Sequence, residues 1–329
     1  MKKAMVLTLL VFILLFQGCE LFIAEAPLGS IHAIYVGLSY HGTDVNYLAG
    51  TLNDATELEN CFTALCNKHI RPIHSYPLLQ RGGAFESWGE TARGTRYPIY
   101  SYDTPDTYAT LPTKSNVLSV IGALKPLLTE KDLTIFSYSG HGLEGGSLVL
   151  APSSPDDPTI FTSENRVKSE VLLSVRELLD ALSALPGRQL LILDSCHCGS
   201  FVEGSGSSVS LIEKELFLDE ALALYFSSDQ YSPSLFVMAA TTASNTSKEP
   251  VASSHIHGYF TEAVLDGLGW DHQKSILKES SPAMKKGVLT LDSLYAYVLE
   301  NQDFPLTGTN PKRYQHPTIS GGAYTLRLF

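Results

Sequence analysis

Runs of mostly apolar residues alternate along the chain with segments in which apolar residues recur every three or four positions. The first pattern predicts buried strands and the second predicts helices with one apolar face. Predicted strands lie at 31–37, 71–79, 132–138, 146–151, 189–193, 235–240 and 323–328. Predicted helices begin at 53 and span 114–128, 174–185, 213–225 and 258–268. Apolar strands that alternate with helices are typical of a single α/β domain, with a mostly parallel sheet covered by helices on both faces.

Two further segments interrupt this pattern. Residues 80–112 are rich in Gly, Pro and Tyr and have no clear period, which predicts an irregular insertion or a small hairpin. Residues 201–212 are rich in Gly and Ser and predict a loop. At the helix that begins near 53, either Asn53 or Asp54 is expected to act as the N-terminal cap.

The amino terminus has the pattern of an export signal. Three residues with two lysines precede an apolar stretch at 4–16, which is too short for a membrane span. Gly18 and Cys19 follow, and they resemble a bacterial lipoprotein processing site. We therefore expect a signal peptide at 1–18, a tether at 19–30 and a folded domain at 31–329. Cys19 would carry the lipid and anchor the protein to the bacterial membrane. In the alternative, Cys19 is incidental and the protein is periplasmic or secreted.

Composition narrows the classes of function. The 329 residues are 44% hydrophobic and 17% charged, as in ordinary globular proteins. The formal net charge of −11 disfavours nucleic acid as a partner. Cys61 and Cys66 fall on a predicted helix and are expected to be buried small hydrophobic residues rather than a disulfide.

Two predicted strands are followed by reactive sequences. Tyr-Ser-Gly-His-Gly occupies 138–142, and Asp-Ser-Cys-His-Cys-Gly occupies 194–199. The carboxyl ends of parallel strands form a ligand crevice, so we expect His141 and Cys196 to meet there. An imidazole beside a thiol suits nucleophilic catalysis, and the backbone amides of Gly142 and Cys196 are candidate donors to an oxyanion.

These motifs resemble those of the caspase-like cysteine peptidases, and within them the metacaspases. His141 and Cys196 are 55 positions apart, close to the separation of about 50 residues known for caspases. Segments at 37–54, 258–261 and 315–317 resemble other landmarks of that family, so the resemblance covers essentially 31–329.

The resemblance implies a role for each matching residue. Cys196 is the nucleophile and His141 is its catalytic partner, while Asp54, Ser139 and Asp194 line the pocket for the residue before the cleaved bond. Two carboxylates in that pocket favour Arg or Lys, because a buried charge must be paired. Plainer readings remain: Asp54 as a helix cap, Asp194 bonded within its own turn, and Ser139 as an ordinary loop hydroxyl.

The sequence departs from the metacaspase pattern at the positions that would bind metal. Many metacaspases need calcium, but the scattered acids Asp156, Asp157 and Glu164 fall short of the six to eight oxygens that calcium requires. We therefore expect no cofactor, and no zinc site despite the cluster around Cys196. Cys198 is expected to replace a more usual serine.

His255 and His257 are expected to be surface or loop histidines. The sequence as a whole predicts a cysteine-type endopeptidase that cleaves peptides and proteins after Arg or Lys and contacts a membrane surface through its lipid. The alternative is a catalytically silent caspase-like binding module on the cell surface.

Overall fold

The computed structural model describes residues 28–80, 84–90, 96–101, 110–143, 147–153, 157–197, 234–240, 256–306, 315–321 and 326–329. The predicted signal peptide, nearly all of the tether, the loop at 201–212 and the helix at 213–225 lie outside these residues and stay predictions. No helix in the described ranges is long and apolar enough to cross a membrane.

Strands and helices alternate through most of the described chain. In chain order the strands are β1 (Ile31–Leu38), β2 (Ile73–Gln80), β3 (Ala84–Glu90), β4 (Arg96–Ser101), β5 (Leu133–Leu143), β6 (Ser147–Val149), β7 (Leu172–Ser174), β8 (Arg188–His197), β9 (Leu235–Ala239), β10 (Trp270–Asp271), β11 (Ile276–Leu277) and β12 (Thr318–Gly321). The helices are α1 (Thr51–Lys68), α2 (Lys114–Leu124), α3 (Val175–Ser183), α4 (Tyr259–Leu268) and α5 (Leu291–Asn301).

An eight-stranded sheet forms the centre of the fold, with the order β12-β9-β8-β5-β1-β2 and with β6 and β7 attached beside β5. Neighbouring strands from β9 to β2 are parallel, whereas β12 and β6 pair antiparallel to their neighbours. All eight residues of β1 are buried, as expected of a strand covered on both sides. The predicted α/β architecture with a mostly parallel sheet is confirmed.

Each face of this sheet packs against its own set of helices. Side chains of β1 alternate between the two cores: Ile34 and Val36 face one, and Ala33 and Tyr35 face the other. Helices α2 and α3 contribute to the first core, and α1, α4 and α5 contribute to the second. Helices α1 and α4, which carry Asp54 and Thr261 in their first turns, belong to the second core.

Several local predictions are confirmed. Cys61 and Cys66 are buried in α1 and are not bonded to each other. Burial raises the pKa of the Cys61 thiol well above its usual value and that of Cys66 to about 11, so both remain protonated and inert. Within the predicted insertion at 80–112, β3 and β4 pair antiparallel as a hairpin.

The predicted cap of α1 is wrong. The helix begins at Thr51 after Gly50, and no side chain caps it. The amide of Asp54 donates to the Gly50 carbonyl at 2.9 Å, which places Asp54 inside the first turn. Its carboxylate does not cap the helix and instead accepts hydrogen bonds from Ser139, His257 and Gly258.

The carboxyl-terminal part of the chain differs from the prediction. A strand that the sequence did not predict, Thr318–Gly321, pairs with β9. The predicted strand at 323–328 lies partly outside the described residues, and Arg327 within it forms an isolated bridge with Thr290. Helix α5 was not predicted, because alternating tyrosines obscure the helical spacing of its buried residues. The Thr290 and Ser293 capping box fixes where α5 begins.

Candidate active site

The two motifs lie on neighbouring strands. Strands β5 and β8 run parallel in one continuous register, in which His141 is opposite Cys196 and Ser139 is opposite Asp194. Both strands are longer than predicted, so residues 138–142 lie within β5 and residues 194–197, the described part of the second motif, end β8. Because neighbouring strands are about 4.8 Å apart, the backbones of His141 and Cys196 lie side by side.

His141 is buried and held by a backbone carbonyl. His141 is 2% exposed, and its Nε2 lies 2.9 Å from the carbonyl oxygen of Asn46. A carbonyl only accepts, so Nε2 carries the proton and Nδ1 carries the lone pair in the neutral ring. Burial lowers the pKa of His141 to about 4, although the bond to Asn46 acts in the opposite direction. The imidazole is therefore neutral at pH 7, and its Nδ1 lone pair is unprotonated.

Two tyrosines hold the backbone of His141. The Tyr40 hydroxyl accepts the amide of His141 at 2.8 Å and donates to the Val149 carbonyl at 2.7 Å. The Tyr138 hydroxyl donates to the carbonyl of His141 at 2.6 Å. The Tyr40 ring also packs against the imidazole, with centroids 4.5 Å apart. These contacts fix both peptide groups of His141 and one face of its ring.

The same tyrosines explain Gly140. A Cβ on this residue would lie 2.7 Å from both the Tyr40 and the Tyr138 hydroxyl oxygens, closer than real contacts allow. Tyr40 itself has a φ of 57°, which is unusual for a residue with a side chain. Its amide donates to Oε1 of Gln80 at 2.8 Å, and this bond helps to hold the strained backbone.

Asp54 is buried in the second core and accepts hydrogen bonds from three residues. Ser139 donates its hydroxyl to Oδ2 at 2.6 Å, His257 Nδ1 lies 2.9 Å from Oδ1, and the Gly258 amide lies 3.2 Å from Oδ1. Asp54 is only 1% exposed. A carboxylate buried this deeply requires such partners, and their number accounts for its fixed position.

Asp194 lies beside Asp54 on the other side of Gly258. Its Oδ2 accepts the Thr261 amide at 3.2 Å and the Thr261 hydroxyl at 2.7 Å. These bonds reach the first turn of α4, so Asp194 is not confined to bonds within its own turn. A Cβ on Gly258 would lie 2.3 Å from Oδ2 of Asp194, and glycine is needed there for the close approach.

His257 differs most from its prediction. It was expected to be a surface or loop histidine, but it is 1% exposed and bonded to Asp54. Its pKa is raised: burial disfavours the charged ring, but the hydrogen bond and charge of Asp54, with Glu262 and Glu57 nearby, outweigh that effect. His255 lies outside the described residues, as does Cys198.

The remaining predicted site residues are placed as follows. Gly142 pairs with Leu148 of β6 and with His197 of β8. Cys19 and Asp156 lie outside the described residues. Asp157 is bonded to Lys168 at 2.6 Å, and Glu164 is paired with Arg166. No cluster of potential metal ligands occurs among the residues that the structure describes.

Sequence reasoning missed several groups that build this site. Tyr40, Asn46 and His257 were given no role, and Thr261 was noted only as part of a motif. Each acts across 67 to 203 positions of sequence. The sequence offers one related signal, which is the pair of glycines that flanks His141. Gly140 lacks a side chain because the Tyr40 and Tyr138 hydroxyl groups crowd it.

A comparison of the sequence with known protein families identifies one family that covers the sheet and both strand-end motifs. The caspase domain matches residues 31–321. The chain therefore belongs to the caspase-domain family of cysteine-type peptidases, and the predicted resemblance to that family is confirmed.

More specific similarities are partial. Metacaspase-1 of Debaryomyces hansenii is 25% identical over 176 residues, which cover 53% of this chain and 34% of the relative. The match thus spans about a third of that protein's length. The crystal structure of protein GSU0716 from Geobacter sulfurreducens aligns with 91% of this chain over 98% of its own length. The sequence identity is 14% and the TM-score is 0.46.

Proposed function

We propose that this protein is a cysteine endopeptidase that cleaves peptide bonds after Arg or Lys, with Cys196 as nucleophile and His141 as its acid and base. The observation that carries the proposal is the register of β5 and β8, which puts residues 141 and 196 at opposite positions of adjacent strands. The tautomer of the His141 ring supports it, because the bond from Nε2 to the Asn46 carbonyl leaves the lone pair on Nδ1.

The proposed reaction has two stages, acylation of Cys196 and hydrolysis of the thioester, and His141 transfers protons in both. Nδ1 of His141 takes the proton of the Cys196 thiol, and the sulfur attacks the scissile carbonyl carbon. The carbon–nitrogen bond then breaks, and His141 gives its proton to the leaving amine. Water, activated by the neutral imidazole, attacks the resulting thioester, which releases the acid and returns the thiol. In this scheme the amides of Gly142 and Cys196 stabilise the oxyanion.

The preference for basic residues rests on the buried acids. Asp54 and Asp194 flank Gly258, and Ser139 is bonded to Asp54. A substrate guanidinium or ammonium entering this region would be paired with carboxylate, which compensates for its loss of water. Asp54 has most of its acceptor positions in use, so Asp194 is the principal contact in this proposal.

The proposal includes the cellular setting expected from the sequence. The chain is exported, and lipid on Cys19 holds it at a bacterial membrane surface. Replacing Cys19 with Ser would then move the protein from the membrane fraction to the soluble fraction. Catalysis requires no metal, so chelators are expected to leave turnover unchanged.

Removing the nucleophile tests the activity. Cys196→Ala should lower hydrolysis of an Arg reporter peptide by about 10⁴-fold or more while the fold remains intact. Cys198→Ser is the matched control and should retain turnover. A thiol-reactive peptide probe should label wild type and Cys198→Ser but not Cys196→Ala. Equal turnover by Cys196→Ala would overturn the proposal and favour a silent binding module.

Changing the charge of the pocket tests the specificity. Asp194→Asn keeps an oxygen for Thr261 but removes the negative charge. We expect kcat/KM for an Arg peptide to fall by about 10- to 100-fold, while kcat/KM for the matching citrulline peptide, which is neutral, stays nearly constant. An equal fall for both peptides would contradict the basic pocket.

A further inference from the structure

His257 is the one titratable group, among the described residues, that touches the buried acid Asp54. Its Nδ1 lies 2.9 Å from Oδ1 of Asp54, and the two side chains are 1% and 2% exposed. The contact joins the residue before the N-cap of α4 to the first turn of α1. Neither the helix cap of α4 nor the core beneath it requires a histidine at this position, because the N-cap is Gly258.

Within the described part of the chain, charged and titratable groups face His257 from α1, from α4 and from the segment after β10. Helix α1 supplies Asp54 and Glu57, and α4 supplies Glu262. The His272 ring stands edge-on at 5.4 Å and is itself 3.5 Å from a carboxylate oxygen of Glu262. Glu57 is held by the Trp270 indole and by Ser275. Among the described residues, acids therefore outnumber cations around the ring. Burial lowers the pKa of His257, but the acids outweigh that effect and raise it.

The protonation of this ring changes the charge of the proposed pocket. With His257 protonated, Asp54 and His257 form a neutral ion pair, and Asp194 is left with one negative charge to meet one substrate cation. With His257 neutral, the Asp54 charge is no longer balanced within the protein. The pocket then presents about twice the negative charge to an incoming guanidinium, since like and opposite charges within a few ångströms act strongly in a buried site.

We propose that His257 is a specificity-determining residue of this pocket: it partly neutralises Asp54, so that selection for Arg or Lys strengthens as the imidazole loses its proton. The inference rests on the proposed function, because it assigns a role within the basic pocket. His257 acts through Asp54 and does not take part in bond breaking.

Coupling between the substrate and the ring is reciprocal. A substrate cation disfavours the imidazolium, so by linkage the loss of that proton favours binding of the cation. A neutral side chain of the same shape has no such coupling. The quantity that isolates His257 is therefore the ratio of kcat/KM for an Arg peptide to kcat/KM for the citrulline peptide. The pH dependence of Cys196 and His141 affects both peptides equally and cancels in this ratio.

The experiment measures that ratio from pH 5.5 to 8.5. In wild type the ratio should rise with pH by about tenfold, the effect of one pKa unit of coupling. His257→Asn keeps a neutral donor near the Nδ1 position, so its ratio should be independent of pH and at least as high as the upper value of wild type. His272→Asn is the matched control: it alters the neighbouring ring without touching Asp54, and it should keep the rise.

The possible failures are distinguishable. A flat ratio in wild type that nevertheless cleaves after Arg would overturn the role of His257 and leave the proposed function standing. A rise that persists in His257→Asn would also overturn it, because another group would be responsible. Hydrolysis of neither peptide would overturn the proposed function itself. If His257→Asn does not fold, His257→Gln, which also replaces the ring with a neutral amide, supplies the same comparison.

Discussion

Two buried histidines lie at the same edge of the molecule and have opposite electrostatic settings. His141 is 2% exposed and bonded to a neutral carbonyl, whereas His257 is 1% exposed and bonded to the carboxylate of Asp54. Burial works against the charged ring in both. It prevails at His141, whose pKa falls to about 4, and it is outweighed at His257, whose pKa is raised.

Burial acts against the charged form of both rings, and the charge of the hydrogen-bond partner is what distinguishes their settings. A neutral ring can move protons at pH 7, whereas a ring paired with a carboxylate is suited to balancing charge. The two sites therefore differ in function for a reason that can be tested by replacing each ring with an amide of matched geometry.

The largest expected effect is on turnover. His141→Gln keeps a donor for the Asn46 carbonyl but cannot accept a proton, so kcat for the Arg peptide should fall by about 10²- to 10⁴-fold. His257→Asn should change kcat for the same peptide by less than about threefold, because that ring acts on substrate selection. Steady-state kinetics at pH 7.5 compare the two. Similar losses in kcat would remove the functional distinction between the rings.

The second effect is on stability and concerns the ion pair. Asp54→Ala leaves the His257 ring buried without its carboxylate, and the free energy of unfolding at pH 6 should fall by about 3 kcal/mol. Asp54→Asn retains an acceptor and should lose about half as much. Urea unfolding in a Cys196→Ala background, which prevents self-digestion, measures both. Equal losses would mean that the charge of Asp54 contributes nothing.

The third effect is the pH dependence of stability, which should have opposite signs at the two sites. The pKa of His141 is lowered, so the unfolded chain binds the proton more tightly and stability is lost as pH falls below about 6.5. Relative to His141→Gln, the unfolding free energy should drop by about 2 kcal/mol between pH 7.5 and pH 5.

At His257 the raised pKa gives a contribution that is complete below about 6.5 and is lost as pH rises through the folded-state value. Wild type should therefore lose stability relative to His257→Asn above that value. Urea unfolding at several pH values in the Cys196→Ala background tests both slopes. Parallel slopes at the two sites would refute the assignment of their partners.

The smallest effect concerns the support of His141. Tyr40→Phe removes the acceptor of the His141 amide and the donor to Val149, and it should lower the unfolding free energy by about 1 to 2 kcal/mol. The turnover number should fall only a few-fold, because the Asn46 bond still orients the ring. Tyr138→Phe removes a bond to the carbonyl of His141 and is the comparison variant. Full activity and stability in Tyr40→Phe would contradict the supporting role.

The sequence predicts the sheet and the strand-end motifs because both depend on local pattern. Apolar runs such as 31–37 mark buried strands, and the Gly-flanked His141 and the segment at 194–199 follow such runs. The lengths of β5 and β8 were less predictable, since pairing with β6 and with each other extends them through polar residues.

The environment of each histidine was not predictable from the sequence. The partner of His141 is a backbone carbonyl, which any residue at position 46 supplies, and it lies 95 positions away. The partner of His257 is Asp54 of α1, 203 positions away. Nothing in the residues around His257 distinguishes a buried ring from a solvated one, and only the packing of α1 against α4 determines its setting.

The ladder that aligns His141 with Cys196 separates the chemistry from the loops around it. Insertions between β5 and β8 can lengthen connecting segments without altering which residues stand opposite each other. A slip of β8 by a single position would shift every partner by about 3.3 Å and turn its side chains to the other face. The chain can thus vary widely at its surface while hydrogen bonds between two strands preserve the alignment on which turnover depends.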